Sequence, residues 1–181
     1  MTEELLIEGC KKGDRASQKF LYDKYKDRFF GICIRYVKIR DAAEDVLMES
    51  FLSIFSNIDK FKGTGSFEGW MRKIVINNSI NAYRKYIIER NVLSIDEQNY
   101  FDIEDKIVDT EDSETLLKML NTLTLVNKIV FNLHEIDGYK HKDIAKLLDI
   151  SITASKSRLI NAKTDLRKIY DEYVLKRAES I

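Results

Sequence analysis

Proline is absent from the 181 residues, and glycine occurs only seven times. Ordinary usage gives about nine prolines and about thirteen glycines in a chain of this length. Scarcity of both turn formers argues against an all-β sandwich, a collagen-like chain or a Pro-rich linker. No run of about 18 apolar residues occurs, so no membrane span is read and direct membrane insertion is not expected. The start, Met1-Thr2-Glu3-Glu4, is acidic and leads at once into a helical pattern, unlike a signal peptide. Cys10 and Cys33 form no close ligand pair, and His134 and His141 lie about a hundred residues further on. That excludes a zinc or disulfide framework, and a reducing cytoplasm is the simplest setting. With no convergent nucleophile and base, no enzyme, metal or cofactor is expected, and special chemistry is expected of neither cysteine nor histidine.

Net charge is missing too: 30 Lys and Arg balance 30 Asp and Glu. The balance hides a pattern. Residues 1–90 hold 17 basic and 13 acidic side chains, a net of +4. Residues 91–115 hold one and nine, a net of −8, and residues 116–181 hold 12 and eight, again +4. Like charges crowded into a short segment oppose compaction and read as a linker. The sequence therefore predicts two basic domains, 1–90 and 116–181, joined by an irregular acidic linker over 91–115.

What is present is helical periodicity. Phe20, Leu21, Tyr25, Phe29 and Ile32 recur at three- and four-residue steps. Asp41 is a candidate N-cap with Glu44 as its capping-box partner, and that helix carries Val46, Leu47, Phe51, Ile54 and Phe55 on one side. Lys62-Gly63-Thr64-Gly65-Ser66 is a glycine-rich loop whose Ser66 can cap a helix lined by Trp70, Ile74 and Ile80. This helix ends in the basic Tyr83-Arg84-Lys85. After the linker, Leu116, Leu117, Leu120 and Leu123 mark a short helix. Val126, Ile129, Val130 and Leu133 mark another, stopped by Asp137-Gly138. The fold class is all-α.

The segment from Tyr139 to Ser151 reads as a short helix, a turn and a serine cap, and a helix of about twenty residues follows. A tight turn between two helices, with small Ala145 inside the first, is the pattern of a helix-turn-helix. Asp149 stands at the turn, where positive φ is needed and Asp is better tolerated than most residues. The second helix would place its first turns in a DNA major groove, presenting Thr153, Lys156, Ser157, Arg158 and Asn161. On these residues alone, an ordinary helical hairpin with a solvated basic face fits as well.

Asp143-Ile144-Ala145 through Leu148, Ile150-Ser151, then Lys156-Ser157-Arg158-Leu159 with Ala162, resembles the C-terminal helix-turn-helix of bacterial RNA polymerase sigma factors. The extracytoplasmic-function (ECF) group of the sigma-70 family is the nearest in pattern. Asp45-Val46-Leu47-Met48-Glu49-Ser50-Phe51 is similar to that family's polymerase-binding helix. Phe61-Lys62-Gly63, Ser66-Phe67, Trp70, Ile74 and Asn77 resemble its promoter-melting segment, and Gly13-Asp14 with Phe20 and Tyr25 fits its N-terminal helix pair. Three departures stand out. Leu123-Thr124-Leu125 has no proline where the family often has Leu-Pro, Asp149 replaces a turn glycine, and Ser155 replaces a common valine.

The resemblance implies roles. Asp45, Leu47, Met48 and Glu49 would contact core RNA polymerase. Lys62, Ser66, Phe67 and Asn77 would engage the promoter element that opens, trapping an unstacked base. Arg72, Lys73, Arg84 and Lys85 would track phosphates, and Thr153, Lys156, Ser157, Arg158 and Asn161 would hold the distal element. Asn77 could instead be a packing residue, and Trp70 reads as core rather than a base platform. Promoter DNA and core polymerase are the implied partners, with an anti-sigma factor besides. The linker acids Asp102, Glu104, Asp105 and Asp109 would mimic RNA charge in a nucleic-acid channel. A stand-alone helix-turn-helix regulator and a decoy for an anti-sigma protein are the alternatives.

Overall fold

The computed structural model describes the backbone of residues 2–37, 39–93 and 111–179, and their side chains except those of 86–93, 111–114, 176 and 179. The described residues are helical with no strand. The chain divides into two compact units, Met1–Ile103 and Glu104–Ile181.

The first unit is built from α1 (Glu3–Lys11), α2 (Arg15–Tyr36), α3 (Arg40–Asn57) and α4 (Phe67–Leu93), with a 3-10 turn at Ile58–Lys60. Thr2 caps α1, and Asp14 caps α2 by accepting from the Ser17 N–H at 2.8 Å and the Ser17 hydroxyl at 2.6 Å. Those two bonds hold the Asp14 carboxyl below the usual carboxylate range. Leu21, Tyr25, Phe29 and Ile32 are buried as expected, but Phe20 is 46% exposed. The predicted cap at Asp41 does not form. Ile39 occupies that position with no side-chain bond, and Asp41 lies in the first turn of α3, where its charge suits the helix dipole. Val46, Leu47, Phe51 and Ile54 of α3 are buried, as are Met71, Val75 and Ile80 of α4; α3 packs on both α2 and α4, and the Phe51 ring lies 5.8 Å from that of Phe29. Burying such a side chain contributes about 1.5–3 kcal/mol. A polar tie crosses this interface: the Asn78 amide donates to the Ser50 and Ser53 hydroxyls, each at 3.3 Å. Cys10 and Cys33 are buried and free, and burial pushes the Cys33 thiol up to about 12, so it is inert.

The second unit contains α5 (Glu111–Thr122), α6 (Leu125–Phe131), α7 (His141–Leu148) and α8 (Ile152–Glu179). Helical backbone therefore takes both margins of the expected linker, since α4 runs to Leu93 and α5 begins at Glu111. Asp102, Glu104, Asp105 and Asp109 lie outside the described residues. Helix α6 widens into a π-type turn over Asn132–Ile136 and stops at Gly138, where φ is +73°. Thr124 precedes α6 in an extended conformation, so the helix starts without a proline. Leu116 is exposed, whereas Leu120, Leu123 and Ala162 form a buried cluster edged by Phe131 and Leu166. Lys128 is fully buried, with its ammonium donating to Asn121 Oδ1 at 2.6 Å. Among the described residues no helix is long and apolar enough to cross a membrane, and no His, Cys, Asp and Glu cluster could hold a metal ion.

Candidate nucleic-acid interface

Helix α4 begins where the glycine loop ends. Gly63 and Gly65 take φ of +73° and +91°, which turns the chain sharply before Ser66. The Ser66 hydroxyl accepts from the Gly69 N–H at 3.2 Å and fixes the start of the helix. At 100° per residue, Lys73, Asn77 and Arg84 fall on one line, directly opposite the buried Met71, Val75 and Ser79. Lys73, Asn77, Arg84 and Lys85 are exposed, as are Lys62 and Ser66. Asn77 is therefore not the packing asparagine; its neighbour Asn78 is. Two expected positions differ. Phe67 is only 1% exposed, stacked on Trp70 at 5.8 Å and set against Phe61 at 5.1 Å, so it anchors the loop from within. Arg72 turns about 100° from Lys73 and is half-buried toward α2.

Helix α3 presents Asp45, Met48 and Glu49 to solvent, joined one turn on by Leu52. Met48 and Leu52 edge a groove of about 390 Å³ between α2 and α3, whose rim includes Arg15 and Lys19 and whose base includes Tyr22 and Phe51. Of the residues expected on the docking face, Leu47 is buried: it lies about 100° from Val46 and about 40° from Phe51, on the inward side where the apolar period places it.

In the second unit, α7 and α8 are joined by Asp149-Ile150-Ser151. Asp149 has φ 55° and ψ 48°, the left-handed conformation the turn requires, and the Ile150 N–H donates to the Ala145 carbonyl at 3.0 Å. Ser151 caps α8, accepting from the Ala154 N–H at 3.0 Å. Thr153, Lys156, Ser157 and Asn161 are exposed on one side of α8. Arg158 is half-buried on its flank. Ser155 is fully buried beneath this surface, its hydroxyl 2.9 Å from His141 Nδ1. The His141 ring stacks on His134 at 4.4 Å. Burial, then the charges of His134 and Lys156, hold the His141 imidazole below its ordinary pKa. Glu135 accepts from Lys163 at 2.9 Å and lies 2.8 Å from His134 Nδ1, contacts that keep its carboxyl low. The two histidines thus have a structural part in this unit.

Two family descriptions match the chain in these same two places. Sigma-70 region 2 matches residues 21–86, and Sigma-70, region 4 matches residues 113–166, between them more than half the chain. The chain belongs to the sigma-70 family. Its relatives lie in the ECF group. It is 28% identical over 176 residues to an ECF RNA polymerase sigma-E factor of Haemophilus influenzae, covering 90% of this chain and 92% of that one. Against the ECF RNA polymerase sigma-E factor of Escherichia coli it is 23% identical over 175 residues, with 90% and 91% covered. Two solved structures share the fold. One is CnrH in complex with the cytosolic domain of CnrY, with a TM-score of 0.53, 18% identity and coverage of 93% and 96%. The other is the sigma factor RpoE in complex with the anti-sigma factor NepR from Bartonella quintana, with a TM-score of 0.56, 20% identity and coverage of 84% and 96%.

In this sigma factor the region 2 match runs from within α2 to residue 86 on α4, covering every described side chain of α4. It therefore takes in the Lys73–Asn77–Arg84 line and the exposed face of α3. The region 4 match takes in the turn at Asp149 and the first half of α8. Sequence patterning missed Leu52, which adjoins Met48, and exposed Ile160, which lies between Ser157 and Asn161 on α8. Their spacing, four residues from Met48 and three from Ser157, was a usable signal. The Ser155–His141 pair gave no local signal, since the two are fourteen residues apart.

Proposed function

We infer that this sigma factor docks on core RNA polymerase through α3 and opens promoter DNA along α4, while α8 holds the upstream element. Residues 1–90 form the polymerase-binding and melting domain, 91–115 connect, and 116–181 form the duplex-binding domain. Asp45, Met48 and Glu49 supply an acidic and apolar docking face, which suits a basic partner and repels DNA. Leu47 supports that face from beneath. Asn77 can both donate to and accept from a base edge, and Lys73 and Arg84 flank it with positive charge. Lys62, Ser66 and Lys85 border the same surface, Arg72 lies to one side, and Phe67 holds the loop in place. On α8, Lys156 and Arg158 contact phosphates, while Thr153, Ser157 and Asn161 meet base edges. An anti-sigma factor, the kind of protein in complex with the RpoE neighbour, binds this chain as well, and the protein acts in the cytoplasm.

The observation that carries this reading is the Lys73–Asn77–Arg84 line. It is a basic stripe centred on one exposed amide, on a helix whose other side is core. Two modest DNA contacts on one polymerase gain strength through effective concentration, which suits domains of only +4 each. The test is transcription by core polymerase supplemented with this chain on a promoter library. Starts at a defined subset of promoters are expected. Starts no different from those of core polymerase alone would refute the function.

A further inference from the structure

A cleft of about 300 Å³ lies between α2 and α4, with Arg28, Gly31, Arg35, Glu68 and Arg72 in its walls. Three guanidinium groups and one carboxylate give these walls a net charge of +2. The Arg28 Nη1 donates to Glu68 Oε1 at 2.6 Å, tying the two helices across the mouth. A guanidinium has five N–H donors, so this pairing does not exhaust Arg28. Arg28, Gly31 and Arg35 follow at steps of three and four, so the glycine sits between the two arginines on one face of α2.

Gly31 is the informative residue. Glycine is the poorest helix former after proline, and this one stands well inside a 22-residue helix. Its φ is not positive, so the backbone does not require it. A Cβ built there meets nothing within 4 Å, so packing within the chain does not require it either. Its effect is to leave space and bare backbone between two cationic side chains.

We propose that the Arg28–Gly31–Arg35–Arg72 cleft seats a backbone phosphate of the promoter strand. The planar guanidinium fork matches phosphate oxygens, and a concave cationic site focuses field on an anion. Arg72 connects the cleft to the DNA-facing surface, because Lys73 beside it begins the exposed line of α4. The proposal rests on α4 being the promoter-facing helix, and the test separates the two.

Full-length chain on core polymerase is assayed on promoters in which single phosphates in and beside the opened element are replaced by uncharged methylphosphonates. Gly31→Leu fills the cleft and keeps its charges, while Arg28→Ala removes one exposed donor. With the unaltered chain, one phosphate position should shorten open-complex lifetime about tenfold when neutralised, as for one charge-assisted hydrogen bond. In both variants that sensitivity should fall close to one, and Arg28→Ala should lower the salt slope by about one. If Gly31→Leu fails to fold, Arg28→Ala alone decides. No position whose sensitivity depends on either variant overturns the cleft proposal. If Asn77→Ala still impairs opening in that case, the α4 reading stands; if it does not, that reading fails as well. Protection from thermal unfolding by inorganic pyrophosphate, lost in Gly31→Leu and unaccompanied by any methylphosphonate effect, would make this a small-anion site and overturn the strand assignment.

Discussion

Replacing Asp149 with glycine should stabilise the C-terminal unit. Asp149 is exposed and held at φ 55° and ψ 48°, where a Cβ crowds the following carbonyl. Relief of that crowding contributes about 1 kcal/mol for a residue that partly tolerates the conformation. The carboxylate also sits at the negative end of α7, and its removal contributes about 0.3–1 kcal/mol. Glycine's greater freedom in the unfolded chain takes back about 0.4–1 kcal/mol. The net gain is about 1 kcal/mol. Native-state hydrogen exchange of the full chain reads this directly at the Ile150 amide, which donates to the Ala145 carbonyl across the turn. After correction for intrinsic rates, exchange should slow about fivefold. Asp149→Val should speed it by a similar factor or more, because a β-branched residue resists positive φ. Equal protection in the glycine and valine variants, or faster exchange in glycine, would refute the assignment of strain to this turn.

Adjacent asparagines on α4 should separate cleanly. Asn78→Ala should lower urea stability, followed by Trp70 fluorescence, by about 1–2 kcal/mol, because Ser50 and Ser53 lose their shared donor. Asn77→Ala should leave that midpoint within about 0.5 kcal/mol, yet reduce open-complex formation measured by permanganate footprinting. Leu47→Ala should unfold the first unit more easily by about 2–5 kcal/mol, whereas Met48→Lys should weaken core-polymerase binding in a pull-down at unchanged thermal midpoint. For His141, the folded pKa lies below the ordinary value of 6.5, so the unfolded chain binds the extra proton. Stability from this group is fully present above about pH 6.5 and is lost as pH falls through the folded value. His141→Gln should flatten the fall of the urea midpoint between pH 7 and 5, and an unchanged slope would exclude this group.

Much of the fold was legible because helices announce themselves by period. Ser66 capping α4 and Ser151 capping α8 both follow from a small polar residue before an apolar repeat. The left-handed Asp149 was legible for the same reason, since the tight turn between two periodic segments demands it. Asp41 shows the limit of such local signals. It had a capping-box partner in Glu44, but the helix begins two residues earlier, after Ile39. A rival start two residues away differs by about one hydrogen bond, so neighbouring packing decides it.

Composition, period and motif order were enough to determine an all-α chain of the sigma-70 family, with a basic helix ending each functional region. Those features depend on neighbours three or four residues apart, which the sequence states outright. Which of two adjacent residues faces solvent within a motif was settled only by tertiary packing. Phe67 turns inward while Ser66 turns out, and Asn78 rather than Asn77 ties α3 to α4. The Ser155–His141 bond and the arginine cleft around Gly31 likewise exist only where distant segments meet. A helix offers several candidate faces of similar polarity, and the choice among them is made by the surface it packs against.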